Sequence, residues 1–286
     1  MTGAPQRFGA RLQAAVETLG PLCVGIDPHA ELLADWGLDD DPAGLERFAL
    51  TCVEALAGHV AVVKPQSAFF ERHGARGIAI LERVLAELAA SPTLALLDAK
   101  RGDIGSTMGG YADAYLAPGA PLGVDAITLS PYLGPESLAP AISAAVRAGR
   151  GVFLLARTSN PEGATVQLAE RDGRSVAQLV VDAAAAHNSG REPLGDVGVV
   201  VGATVDHGLD LTAANGPILA PGLGAQGAGP GDIRARFAGV TGLVLPSASR
   251  SVLRRPGAAA VRSAARSLCA ELEAVRQDWH DRVTRR

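Results

Sequence analysis

Eight short apolar runs, spread between residues 22 and 248, constrain this chain more than any other feature. They are LCVGID (22–27), HVAVVK (59–64), LALLDA (94–99), VDAITLS (124–130), GVFLLAR (151–157), DVGVVVGAT (196–204), GPILAPG (216–222) and GLVLPSA (242–248). The runs are near-continuous rather than alternating, as in parallel strands covered on both faces. Helical periodicity fills the gaps. Asp41-Pro42 is a good helix start, followed by an apolar face of Leu45, Phe48, Ala49, Cys52, Val53 and Leu56. Ile78, Leu81, Leu85 and Leu88 make a second face, Val176, Leu179, Val180 and Ala183 a third, and Ala265, Leu268, Leu272 and Val275 a last one. Eight strands alternating with helices predict an α/β fold, a (β/α)8 TIM barrel, as a single domain over residues 1–286. A doubly wound open sheet is the competing arrangement, but the first strand runs into DPHAEL and not a Gly-rich dinucleotide turn. No linker, charge block or low-complexity tract marks a second domain, and PGAAAVRSAARS (256–267) reads as a helix and its approach.

Composition narrows the class. The 286 residues are 48% hydrophobic, enough for a sizeable core, and the net charge of -4 argues against nucleic acid or a polybasic membrane surface. No apolar run nears the roughly 18 to 20 residues that span a bilayer. The first twenty residues lack the order of a signal peptide. Cys23, Cys52 and Cys269 have no metal-ligand spacing and cannot all pair, so they read as buried thiols in a reducing cytoplasm. These features together predict a cytoplasmic protein with no membrane segment.

In such a barrel, function gathers on the loops at the C-terminal strand ends. Polar residues fall there: Asp27, Lys64, Asp98 and Lys100 after the first three strands, then Ser130, Thr158, Ser159, Asn160, Gln226, Ser249 and Arg250. Asp98 and Lys100, two apart on a strand, project to one side. Asp103 can lie across the loop from Lys100, and Lys64 on the neighbouring strand can reach Asp98. The result is an alternating array of Lys64, Asp98, Lys100 and Asp103. Incidental surface ion pairs would contribute only about 0–1 kcal/mol each. The apolar LALL before Asp98 points instead to burial, and buried ions demand partners. The Gly- and Pro-rich APGLGAQGAGPGD (220–232) suits a loop whose backbone closes over an anion, and Arg250 after the next strand could supply a charge-assisted contact. His29, in the loop after the first strand, could touch ligand but reads first as a local cap; the other histidines show neither paired metal-ligand spacing nor a serine partner.

CVGIDP, VVKPQSAFFE, LLDAKRGDIGST, ARTSNP, APGLGAQG and SASRSVL occur in the order found in the orotidine 5'-phosphate decarboxylases, and the chain resembles the longer bacterial branch of that family. The resemblance implies a cofactor-independent, metal-free decarboxylase, usually a homodimer, converting orotidine 5'-phosphate to UMP and CO2. It makes Lys100 the proton donor to the pyrimidine carbon and sets Asp98 beside the departing carboxylate. Asp103, with Ile104 and Thr107, would reach the partner subunit's site. Asp27 and Lys64 resemble the ribose contacts, Ser159 a pyrimidine contact, and Gln226 and Arg250 the phosphate ligands. ARTSNPEG departs from the shorter branch's pattern around Ser159. Two other readings share the features: a Mg2+-dependent sugar-phosphate aldolase or decarboxylase, for which Glu71 could be a ligand, and a non-catalytic phosphate-ligand binder. Beside these two stands a Schiff-base aldolase using Lys100, which needs no metal.

Overall fold

The structure is a computed structural model that describes residues 5–283 apart from positions 226 and 241. Eight strands form a closed parallel barrel: β1 Cys23–Ile26, β2 Val62–Pro65, β3 Leu94–Arg101, β4 Ala126–Leu129, β5 Gly151–Arg157, β6 Val197–Val201, β7 Ile218–Pro221 and β8 Val244–Ala248. Each pairs with its predecessor, and β8 closes on β1 through Cys23–Ser247 and Val24–Ala248. With helices between the strands, this is the expected TIM barrel. Every expected run overlaps one of these strands. β2 starts later than expected, at Val62, while β3 continues past its apolar part through Lys100 and Arg101. An antiparallel two-residue hairpin, Glu170–Arg171 with Arg174–Ser175, lies outside the barrel.

The two faces of each strand have separate destinations. Val24, Val63, Leu97, Ile127, Leu154, Val199 and Ile218 point outward into the layer shared with the helices. Cys23, Val62, Leu94, Leu96, Ala126, Phe153, Val200, Leu219 and Leu245 point into the barrel. The helix Phe8–Leu19 meets this second cluster with Phe8, Leu12, Ala15 and Val16, and plugs the barrel at the N-terminal strand ends. Phe8 packs edge-on to Phe153 at 6.1 Å, and a Cβ at Gly151 would run into the Phe8 ring. Gly9 N–H donates to Asp196 Oδ1 (2.8 Å) and Arg11 pairs with Asp125 (2.5 Å), which ties the plug to the starts of β6 and β4. Each large apolar side chain buried this way contributes about 1.5–3 kcal/mol. The barrel interior is therefore filled from below by this plug, and its inward positions turn polar toward the C-terminal strand ends.

The outer helices follow their apolar stripes. Asp41 caps Pro42–Leu56 by accepting from Gly44 N–H at 2.8 Å. Gly74–Ala89 buries Ile80, Leu81, Val84, Leu85 and Leu88, leaving Ile78 half-buried. Val176–Asn188 buries Ala177, Val180, Val181 and Ala184, a face rotated from the expected one. Val180 belongs to both faces, while Val176 and Leu179 are only half-buried. The last helix, Ala258–Val283, buries Val261, Ala265 and Leu272. Cys23 and Cys52 are buried free thiols, as expected, and burial pushes Cys23 up to about 12, whereas Cys269 on the last helix is free but only half-buried. Among the described residues no helix is long and apolar enough to cross a membrane.

Candidate active site

Strand parity converts the filled barrel into a site. On β3 the inward positions run Leu94, Leu96, Asp98, Lys100, so the same face is apolar at the plug and charged at the mouth. On β2 they run Val62, Lys64 and then Gln66; on β4, Ala126 and Thr128. These polar groups line a cavity of about 370 Å³ at the C-terminal ends, together with Asp27, His29, Thr158, Ser159, Asn160, Ser247, Ser249 and Arg250. A larger apolar cavity of about 550 Å³ lies at the opposite end, walled by Val16, Leu194, Leu243 and Leu272. The larger one has Glu17 and Arg276 on an otherwise mostly apolar wall, whereas Asp27, Lys64, Asp98, Lys100 and Arg250 converge in the smaller one, so the chemistry belongs there.

Asp98 is the centre of the site and only 9% exposed. It accepts from Lys64 Nζ (3.0 Å) and Gln66 Nε2 (3.2 Å) on Oδ2, and from Lys100 Nζ (2.7 Å) and Thr128 Oγ1 (2.9 Å) on Oδ1. Burial pushes its carboxyl pKa up. The charges of Lys64 and Lys100, with their hydrogen bonds, outweigh burial and hold it well below the usual carboxylate range. Lys64 is equally buried. Desolvation alone would lower its pKa, but Asp98 and Asp27 raise it above an ordinary lysine. Both groups are therefore ionised at neutral pH. Lys100 completes the triad, with its side chain 45% exposed toward the cavity.

The backbone at Lys100 is unusual. Its φ is 48°, in the left-handed region that non-glycine residues occupy at a cost of about 1–3 kcal/mol. The strand pairing explains the bend: Leu97 pairs with Ile127 and Arg101 with Leu129, so Asp98, Ala99 and Lys100 all face the single β4 residue Thr128. Arg101 turns away from the cavity. It pairs with Glu71, lies over the Tyr111 ring, and donates to Ala99 O at 3.2 Å. Glu71 is also bonded by Ser67 (2.5 Å) and is outside the cavity lining, which removes it as a ready metal ligand at this site. Among the described residues no group of three or more His, Cys, Asp or Glu gathers as a metal site.

The structure brings Lys64, Asp98, Lys100, Asp27, Ser159 and Arg250 around one cavity. Asp27 Oδ1 is buried there with no hydrogen-bond partner among the described residues. A Cβ at Gly25 would crowd that carboxylate and Ser249, which explains the glycine two residues earlier. Arg250 opens the short helix Arg250–Leu253 directly after β8, and Gly222 and Gly224 of the facing loop take φ of 115° and 78°. Gln226 lies outside the described residues. Asp103, Ile104 and Thr107 do not line this chain's cavity. Asp103 Oδ1 accepts from Ile104 N–H (2.8 Å), Ile104 is 61% exposed, and Thr107 is exposed in the helix Gly105–Leu116. His29 stands at the N-cap of Ala30–Asp35 but makes no side-chain cap bond; its ring packs on Phe69 and lines the cavity. Gln66 and Thr128 are the contacts that the sequence reading lacks. Gln66 is legible afterwards as the next inward residue beyond Lys64.

Comparisons with known proteins agree with this geometry. Residues 20–265 match the family model described as orotidine 5'-phosphate decarboxylase / HUMPS family. Orotidine 5'-phosphate decarboxylase of Salinispora arenicola is 59% identical over 272 residues, covering 94% of this chain and 98% of the relative. That of Streptomyces coelicolor is 56% identical over 271 residues, covering 93% and 96%. A crystal structure from Streptomyces avermitilis assigned to the same enzyme superposes with a TM-score of 0.92 at 55% identity, covering 95% of this chain and 96% of that one. The Leishmania donovani OMP decarboxylase structure gives 0.74 at 30% identity, covering 95% and 99%. A carboxylate buried between two lysines, on a barrel shared with these relatives over nearly their whole length, leads to one conclusion: the chain belongs to the orotidine 5'-phosphate decarboxylase / HUMPS family.

Proposed function

We propose that this chain decarboxylates orotidine 5'-phosphate to UMP and CO2, the last step of de novo pyrimidine nucleotide synthesis, without metal or cofactor. The observation that carries the reading is the Lys64–Asp98–Lys100 triad at the mouth of a barrel of this family. Loss of CO2 from a ring carbon leaves a carbanion with no electron sink, and very slow reactions of this kind require about 23 kcal/mol or more of barrier lowering. Repulsion between Asp98 and the substrate carboxylate supplies about 4 kcal/mol at 4 Å and an effective dielectric of 20. The larger local contribution is the Lys100 ammonium, held by Asp98 where negative charge develops and able to donate its proton to the carbanion. The remainder comes from binding energy at the ribose and phosphate. Asp27 and Lys64 take the ribose hydroxyls, Ser159 the pyrimidine, and Gln226 and Arg250 the phosphate. Residues 1–286 act as one domain on this reading, since strands drawn from Cys23 to Ala248 close a single barrel.

The reading includes a cytoplasmic homodimer with shared sites. Asp103 lies away from its own cavity, and Ile104, Tyr132 and Leu133 expose large apolar side chains just beyond β3 and β4, which supports a partner surface there. Asp103→Ala and Lys100→Ala chains, each inactive alone, then complement on mixing. A heterodimer carries one site with both native residues and one with neither, so half the native activity per heterodimer is expected. Inactive heterodimers, verified by mass, exclude the shared site. Arg250→Ala raises KM about ten- to a hundredfold by removing a charge-assisted contact worth about 1.5–3 kcal/mol, with kcat less affected; an unchanged KM excludes phosphate contact. The primary test is absorbance loss of orotidine 5'-phosphate in EDTA. Turnover there establishes the reading and dismisses the Mg2+-dependent alternative, whereas tight UMP binding without turnover establishes a binder.

A further inference from the structure

We infer that Thr128 is a positioning residue that fixes the direction of Lys100, because its one hydroxyl holds together the three-residue bulge of β3 that it faces. The inference rests on the decarboxylase reading and deepens it. A regular parallel ladder would give Asp98, Ala99 and Lys100 three partners on β4; here they have one. Thr128 Oγ1 accepts from Ala99 N–H at 3.1 Å and from Lys100 N–H at 3.0 Å, and donates its proton to Asp98 Oδ1 at 2.9 Å. Two acceptor positions and one proton are all that a hydroxyl has, and all three are used.

The consequences for the site are specific. The two amides that the bulge removes from the ladder would be buried donors without partners, and Thr128 satisfies both. The left-handed turn at Lys100 persists because its surroundings fix it. Besides Thr128, Arg101 Nη1 donates to Ala99 O, and Ser130 N–H, just past β4, donates to Arg101 O at 2.7 Å. The third bond orients Asp98, which in turn holds the Lys100 ammonium. Threonine is suited to this because β-branching restricts χ1 and the residue is 1% exposed, so the hydroxyl has little freedom to wander. None of these bonds binds substrate, so their loss should appear in the chemical step.

The test compares Thr128→Val, isosteric without the hydroxyl, with Thr128→Ala and Thr128→Ser, all against the native chain. The native chain must first turn over orotidine 5'-phosphate; if it does not, the decarboxylase reading fails and not the positioning one. Given turnover, Thr128→Val should lower kcat about a hundredfold, the scale of an ångström-sized misplacement. The KM for orotidine 5'-phosphate and the Kd for UMP should stay near native values. Thr128→Ser should restore kcat to near the native value. Thr128→Ala introduces no bulk and carries the same expectation should the valine chain not fold. Native-like kcat in a folded chain lacking the hydroxyl overturns the inference. So does a KM that rises as much as kcat falls, or a folded serine chain as slow as the alanine one.

Discussion

Lys100→Ala lowers kcat for CO2 release by about 10^4-fold or more while UMP binding persists. A general acid contributes about 10^2–10^4-fold, and preorganised charge facing a developing carbanion adds to that; Lys100 supplies both on the proposed mechanism. The structural cost is small by comparison. Asp98 keeps Lys64, Gln66 and Thr128 as partners, so its charge remains compensated. The Lys100 side chain is 45% exposed, against 8% for Lys64, so its removal opens no sealed cavity. Alanine also retains a Cβ at φ 48°, which leaves the local backbone cost unchanged. Absorbance assays with orotidine 5'-phosphate and calorimetric titration with UMP separate the two effects. Turnover within a hundredfold of native removes Lys100 from the chemistry, whereas equal loss of binding and turnover makes it a binding residue.

The strands were legible because a parallel barrel buries both their faces, and apolar runs have no other use at that density. The N-terminal plug was not. Phe8, Leu12, Ala15 and Val16 fall at helical spacing, but nothing local says that the face they form enters a barrel and meets Phe153, far away in sequence. Asp98 and Lys100 could be placed on one side from the two-residue strand period, and Lys64 followed as the neighbouring strand end. Thr128 could not, since a lone threonine in AITL is ordinary for a strand. Its role exists only in the pairing, where three β3 residues oppose one on β4. Asp103 is the reverse case: its spacing suggested a place in the same array, but the chain turns outward after Arg101 and the carboxylate caps Ile104 N–H instead. A residue whose proposed role lies in another copy of the chain leaves no mark on its own cavity.

Asp98→Asn tilts the pH dependence of stability toward alkaline pH as well as stopping turnover. In the native chain the Asp98 pKa is depressed by its two lysines, after burial is outweighed. Its contribution is therefore present above the unfolded value of about 3.9 and is lost as pH falls through the folded one. Lys64 has a raised pKa, so its contribution is present below about 10.4 and is lost as pH rises through its folded value. These two groups alone give a plateau across neutral pH. Asparagine leaves Lys64, 6% exposed, with only the more weakly coupled Asp27 as a counter-charge, so burial then dominates and its pKa drops below the ordinary value. The unfolded chain now binds more protons than the folded one, and stability rises with pH. Breaking a buried pair from one side costs about 3–5 kcal/mol, felt most at about pH 6 and recovered in part by about pH 9.5. Urea unfolding of the native and Asp98→Asn chains at about pH 6, 7.5 and 9.5 reads this directly. A flat or falling profile for the Asp98→Asn chain would mean that water reaches Lys64, and that the triad is not held in a desolvated site.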